Sequence, residues 1–462
     1  MMKNQNTAIK NKATKFEKRE FIKMALLIAL PNIAQQLVIN ISQMVDNIMI
    51  GRLNETAIAG VTIMNELYFV FTVLILGLCA TGGIYIAQYK GAALNDKITE
   101  VFRIITLGAI VFGILFFCLV TLFPYQIFGI FTKDLKTVEA ALTFASVLKF
   151  TFLIYPITLV IGASLRFYGY VRVAMYTSIT ATIINIIGNY GLIYGRLGLP
   201  CLEIMGAGIA TLSARVLEVI IIIIIMTRLK TPIMLQPLKL FNFSFGLVKE
   251  IIKKGVPLLT NDFLWSFGIQ ALIIIYTFRE TNNIAAMSIA SIIGNLVFIG
   301  MGGMATAIAI IIGDSLGKSN FEQALKDSRI LIKLGSLAGL GLGIIMLTIS
   351  FFVTMIYNVS PATMAMARQC IFVYTCFSWL YYLNGCFFFV LRAGGDTKGA
   401  LLMDSLYTWV VAIPIALLLS LCHLYMPLFF FSLQFVDFIK LYIAHRRYRQ
   451  KYWLVNLTTI NN

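Results

Sequence analysis

Charge is scarce in this chain. Only 12% of its 462 residues are Asp, Glu, Lys or Arg, about half the share of an ordinary soluble domain. With 59% hydrophobic residues, so much apolar surface cannot be hidden inside a water-soluble domain of this length, and a bilayer is the solvent that accommodates it. Histidine is nearly missing: His423 and His445 are the two in the chain, and neither joins a cysteine cluster. Seven cysteines occur (Cys79, Cys118, Cys201, Cys370, Cys376, Cys386, Cys422), none in a CxxC pair, which argues against structural zinc and against a disulfide framework. Acidic residues are also few, 20 against 37 basic ones, leaving a net charge of +17. The basic residues are scattered among apolar spans rather than gathered in a patch, which speaks against nucleic acid and for the cytoplasmic loops of a membrane protein. The first 23 residues lack the short apolar core of a secretory signal and are expected to form a cytoplasmic tail retained in the mature protein.

What is present in abundance is the long apolar run. Stretches able to cross a bilayer fall near 24–50, 57–88, 104–123, 137–165, 174–194, 205–227, 247–277, 284–316, 330–357, 362–391, 399–420 and 426–443. With the N-terminus inside, the inside segments carry 29 Lys/Arg and the outside loops 5. That bias supports twelve spans with both termini in the cytoplasm.

The sequence also matches itself at an offset of 226. Pro31 pairs with Pro257, Gly77 with Gly303, Gly91 with Gly317, Arg103 with Arg329, and Leu165-Arg166-x-x-Gly169 with Leu391-Arg392-x-x-Gly395. Six spans fit in one repeat, and an even number returns the chain to the same side. The expected fold is therefore all-α and integral to the membrane, with twelve transmembrane helices in two parallel six-helix lobes related by a pseudo-twofold axis along the membrane normal. The expected division is a cytoplasmic tail (1–23), an N-lobe (24–229), a basic cytoplasmic linker (230–246), a C-lobe (247–445) and a cytoplasmic C-terminal tail (446–462). Two parallel halves with a cleft between them form a transporter architecture.

Polar residues inside spans are costly and point to function. In the first span Asn32, Gln35, Gln36, Asn40, Ser42, Gln43, Asp46 and Asn47 share an arc of about 160° at 100° per residue. Ile33, Leu37, Ile41, Met44 and Ile48 lie on the opposite face. Asp46 reads as a carboxylate that binds a cation or carries a proton, or as an interfacial acid paired with Arg52. Ser178, Thr182, Asn185 and Asn189 lie on one face of the fifth span. They would complete an oxygen-rich shell around Asp46, or hydrogen-bond between packed helices. In the second half Asp262, five residues after Pro257, and Asp404, ahead of Trp409, read as a second carboxylate centre or as structural acids near the cytoplasmic boundary. Glu66 lies near the outer end of its span, and Arg215 and Glu218, three residues apart, are expected to pair.

Catalytic and nucleotide motifs are missing. Gly313-Asp-Ser-Leu-Gly317-Lys318-Ser319 is one residue short of a phosphate loop and follows a membrane span. Gly339-Leu-Gly341-Leu-Gly343 reads as a helix-packing surface. No ATP-driven cycle or enzymatic site is visible, so energy is expected from an ion gradient.

The stretch Val45-Asp46-Asn47-Ile48-Met49-Ile50-Gly51-Arg52-Leu53, followed by Ala57-Ile58-Ala59-Gly60, closely resembles the first-helix signature of the MATE (multidrug and toxic compound extrusion) family. So do the paired Leu-Arg-x-x-Gly loops, Gly206-Ala207-Gly208-Ile209-Ala210-Thr211, and the ending Lys451-Tyr452-Trp453. The resemblance runs from about residue 24 to 458 and looks nearest to the bacterial branches. It implies two lobes in a V shape, alternating access, and antiport of organic cations or amphipathic compounds against protons or sodium. Asp46 matches the family's N-lobe carboxylate and Asn185 an N-lobe asparagine, while Asn189 sits where some members carry a second acid. Trp265 and Tyr381 occupy positions where other members place C-lobe acids, and Asp404 resembles an acid common in this branch.

The reading is thus a multidrug antiporter coupled to H+ or Na+, in the bacterial plasma membrane and expected to be a monomer, with no cofactor and no resident metal beyond a possible Na+ at Asp46. Asp46, Asn185, Asn189, Gln43 and Thr211 are assigned to the coupling ion. Gln36, Asn40, Asp262, Trp265, Asp404 and Glu66 are assigned to a cavity for small organic, cationic or amphipathic substrates. The rival reading is a lipid-linked or polysaccharide flippase of the same superfamily.

Overall fold

A computed structural model describes the chain apart from residues 1, 230, 235–236, 278–280, 357–359, 423 and 460–462. His423, Lys230 and the expected end of the ninth span at 357 lie outside the described residues. No strand occurs among the described residues. The helices are α1 (Met2–Gly51), α2 (Glu55–Gly91), α3 (Asn95–Leu122), α4 (Pro124–Phe131), α5 (Leu135–Leu148), α6 (Thr151–Tyr168), α7 (Val171–Tyr194) and α8 (Glu203–Leu229), then α9 (Phe245–Thr277), α10 (Thr281–Gly317), α11 (Phe321–Ile356), α12 (Pro361–Ala393), α13 (Thr397–Leu401), α14 (Ile413–Leu421) and α15 (Met426–Arg449). Twelve segments are long and apolar enough to cross a membrane, α13 to α14 counting as one span.

The fourth span differs from a single helix over 137–165. It breaks between α5 and α6, where Phe150 N–H donates to Val147 and Phe152 N–H to Lys149 in tight three-residue steps. Pro156, inside α6, cannot donate to the carbonyl four residues back, and its ring crowds that carbonyl. Lys149 sits at the break with its ammonium 5.9 Å from the Phe117 ring. The eleventh span is continuous but wound more loosely, with π-turns at Leu402–Leu406 and Thr408–Ala412. Pro414 follows them in the first turn of α14. Its missing N–H removes one donor from the ladder, and such bulges occur often at functional sites.

The chain forms two compact units. One comprises 1–33 and 264–455, the other 34–263 and 456–462. Each unit therefore takes the opening part of a first helix from the other sequence repeat, and matched glycines show how. On α2, a Cβ added to Gly77 would lie 2.5 Å from the Leu259 side chain of α9. On α10, a Cβ added to Gly303 would lie 2.5 Å from Ile33 of α1. The pairs are equivalent at the 226-residue offset, so the repeat preserves a close helix crossing that only a residue without a side chain permits.

The Leu-Arg-x-x-Gly loops are also matched. Gly169 (φ +113°) and Gly395 (φ +81°) adopt left-handed backbone. Tyr170 N–H closes on Leu165 C=O at 2.8 Å, and Asp396 N–H on Leu391 C=O at 2.9 Å. This six-to-one closure satisfies orphan carbonyls at a helix end and favours glycine. In the second loop Asp396 also receives both arms of Arg447, at 2.7 and 2.9 Å, and Gly394 backs onto the Trp453 backbone. Trp453 is fully buried, stacked 5.5 Å from Tyr448, so the two motifs near the chain's end form one latch. The glycine run of α11 packs as its composition suggests: Gly339 lies under Tyr382 and Gly343 under Ser378 of α12.

Candidate functional site

In the unit containing residues 34–263, the polar stripe of α1 meets α6 and α7. Arg166 of α6 donates to Gln35 Oε1 at 3.3 Å, and the Tyr194 hydroxyl of α7 donates to Met49 C=O at 2.8 Å. Between these anchors Asp46 faces α7. Asn189 Nδ2 donates to Asp46 Oδ1 at 2.7 Å. With its amide turned so that both ends face complementary groups, Asn185 donates to Asp46 Oδ2 at 3.3 Å and accepts from Thr211 Oγ1 of α8 at 3.2 Å. Asn185 and Asn189 are buried and Asp46 is half-buried. Among the described residues Asp46 forms no salt bridge, with Arg52 or any other cation. Its partners are neutral amides.

The α8 arginine whose charge acts on Asp46 is already engaged. Arg215 of α8 pairs with Glu218 at 2.7 Å, as their three-residue spacing predicts, and its guanidinium lies 4.2 Å from the Tyr155 ring centroid. Tyr155 in turn stacks on Tyr68 at 5.5 Å. One atom of the cluster has no partner among the described residues: Asn189 Oδ1 is buried and meets no donor. Carboxylate, amide and hydroxyl oxygens of this kind are the donors that hard cations take.

The other predicted residues distribute as follows. Asn40 folds back to donate to Gln36 C=O at 2.8 Å, and both are half-buried. Gln43 and Glu66 are exposed and stand outside the hydrogen-bonded cluster. Asn32, at the other end of the stripe, belongs to the unit containing 264–455, where it donates to Gly302 C=O at 3.0 Å and Thr306 Oγ1 at 3.1 Å. Asp262 lies beside Gly77, its Oδ2 3.5 Å from where a Cβ would be. Trp265 stacks on Phe298 at 5.5 Å, and Trp409 donates to Leu264 C=O at 2.9 Å.

Asp404 sits in the unit containing 264–455 and is paired with a cation. Lys440 of α15 bonds Asp404 Oδ1 at 2.6 Å. The Tyr407 hydroxyl donates to Asp437 Oδ1 at 3.1 Å, and Asn384 Nδ2 to Asp437 C=O at 3.2 Å. Lys440, Asp437 and Asn384 escape the sequence reading. Lys440 counts there as a cytoplasmic charge because it precedes the Arg446–Lys451 run. The available signal is an Asp and a Lys three residues apart within the last apolar span.

Two stretches of the chain, 31–191 and 257–418, match the MatE family model. The chain belongs to the MatE family. The matched stretches begin 226 residues apart, the offset of the internal repeat. Among curated proteins, the probable multidrug resistance protein NorM of Halalkalibacterium halodurans is 27% identical over 86% of this chain and 87% of its own length. NorM of Thermotoga maritima is 23% identical over 88% and 87%. An uncharacterized transporter of Bacillus subtilis, YisQ, is 24% identical over 88% and 90%. Among solved structures, an outward-facing multidrug resistance MATE family transporter of the MOP superfamily superposes with a TM-score of 0.83 at 18% identity, over 93% of this chain and 96% of that one. A MOP superfamily transporter from Pyrococcus furiosus gives 0.82 at 18%, over 93% and 95%. The MatE family is one of multi-pass membrane transporters rather than enzymes, and the twelve apolar spans here agree with that architecture.

Proposed function

We propose that this MatE chain exports small organic, cationic or amphipathic compounds in exchange for H+ or Na+, alternating access between its lobes. The observation that carries the reading is the setting of Asp46: a carboxylate in a membrane span whose partners are the Asn185 and Asn189 amides. Neutral partners leave its charge uncompensated, so a proton or a small cation neutralises it reversibly. An ion or substrate moves a two-state carrier only through unequal affinity for the two states, and an acid that gains and loses a cation supplies that inequality. The names of the NorM relatives support multidrug efflux. The positive bias of the inside loops supports a bacterial plasma-membrane placement with both termini in the cytoplasm.

For a sodium ion, Asp46, Asn185, Thr211 and the unpartnered Asn189 Oδ1 would supply oxygen donors. For a proton, Asp46 alone suffices and the amides orient it. The test is transport of a cationic dye in proteoliposomes under imposed H+ or Na+ gradients. Efflux that follows one gradient and vanishes in Asp46→Asn, with the protein inserted at normal levels, supports the reading. Undiminished coupled efflux in that variant removes Asp46 from the mechanism.

A further inference from the structure

A second polar surface lies on the unit containing 264–455, beside Tyr407 and Arg447. The end of α15 and the residues after it carry Arg446, Arg449 and Lys451, and α11 contributes Arg329 and Lys333. Among the described residues none of these five forms a salt bridge. Their neighbour Arg447 is taken by Asp396, so the surplus positive charge is concentrated on the five.

The charges rim grooves rather than a flat face. One groove, about 480 Å³, runs between the 402–411 stretch and α15, with Leu406, Val410 and Ile443 as apolar wall and Arg446 and Gln450 at its mouth. A second, about 390 Å³, lies across α15 beside Ile332 and Phe387, with Arg329, Lys333 and Arg449 at its rim. A third, about 340 Å³, shares Tyr442, Arg446 and Gln450 with the first and His445 and Arg449 with the second. The three make one basic band at the end of α15.

The apolar wall identifies the occupant. Val410 is 69% exposed and Leu406 39% exposed, although both stand in a membrane-spanning segment. Leu406 is nine residues into the Thr397–Leu421 span, about 14 Å along it at 1.5 Å per residue, within the about 15 Å of half a bilayer core, and Val410 lies about one turn deeper. The wall therefore runs from the basic rim to the depth an acyl chain reaches. A soluble anion would use the rim and leave the wall bare, and an acidic peptide would not enter the hydrocarbon. The geometry points to an anionic phospholipid, of the leaflet on the side of the chain's basic loops, bound with its phosphate between Arg446 and Arg449 and one chain against Leu406 and Val410. Basic pockets between membrane helices recognise such headgroups by charge.

The test uses purified, delipidated full-length protein titrated in detergent with dioleoyl phosphatidylglycerol or dioleoyl phosphatidylcholine, with bound lipid counted by native mass spectrometry. Phosphatidylglycerol is expected to bind at least ten-fold more tightly. Arg446→Gln and Arg449→Gln should each weaken it about five-fold. Val410→Trp, which fills the apolar groove without touching charge, should weaken it as well. Both arginines are exposed, and an unchanged melting temperature confirms that the variants are folded. Equal affinity for the two lipids overturns the proposal. So does glycerol phosphate displacing the lipid at equal concentration while Val410→Trp binds normally, since that pattern describes an anion site without an acyl groove.

Discussion

The two polar centres solve the same problem in opposite ways. Asp46 is held by the side-chain amides of α7, with Thr211 behind Asn185. Asp404 is held by the ammonium of Lys440 at 2.6 Å. At the repeat offset Asp46 corresponds to Leu272 and Asp404 to Ser178, both buried, so neither acid has a twin. The duplicated backbone kept its helix crossings and loop turns and let its intramembrane chemistry diverge. A buried acid with a fixed cation is neutral as built, and removing one partner strands the other. An acid held by amides keeps an open charge, which is the property the proposed exchange requires. On the reading proposed above, exchange belongs to the first centre and structural support to the second.

The sharpest way to break that assignment is Asp46→Asn. It should drop gradient-driven dye efflux to the level of empty liposomes while changing the apparent melting temperature little, because the replacement amide still hydrogen-bonds its neighbours. Lys440→Met should do the reverse: it removes the ammonium that meets Asp404 and costs about 4 kcal/mol, read as a large fall in thermal stability in detergent. The double change Asp404→Asn with Lys440→Met should recover part of the loss, since it removes the Asp404–Lys440 pair together and leaves Asp437 of the same centre without that lysine. Asn189→Ala deletes a hydrogen bond to a charged oxygen, and about 2 kcal/mol of stability is expected to go with it. The smallest effect belongs to Tyr407→Phe, which removes one hydroxyl bond to Asp437 and should cost about 1 kcal/mol. If Lys440→Met melted normally, or Asp46→Asn melted far below the parent, the division of labour between the centres would be wrong.

Much of this was legible because membrane helices advertise themselves. Twenty apolar residues in a row leave little choice of structure, and glycines and prolines fixed at one offset disclosed the duplication. Gly77 with Gly303 and Gly169 with Gly395 then proved to mark close crossings and left-handed turns. The helical spacing of Asn185 and Asn189 placed both on the face that meets Asp46, although spacing could not say whether they bind an ion or merely join helices. What escaped depends on contacts distant in sequence. Periodicity does not reveal that Lys440 reaches back 36 residues to Asp404, nor that Asp396 and Arg447 clasp two motifs together. The break between α5 and α6 was hidden because both pieces are apolar, and Pro156 marks it only from six residues downstream. The place of Gln43 on the stripe groups it with Asp46, whereas its side chain is exposed and stands outside the hydrogen-bonded cluster.

The most direct test of the exchange centre is the release of cation on binding a cationic substrate to purified protein, followed by a pH indicator in weak buffer and by radioactive sodium. The account predicts release of H+ or Na+ from the parent chain, release of the same size from the Asp404→Asn, Lys440→Met double variant, and none from Asp46→Asn. Release that survives in Asp46→Asn and disappears in the double variant would contradict it and transfer the exchange to the Asp404 centre.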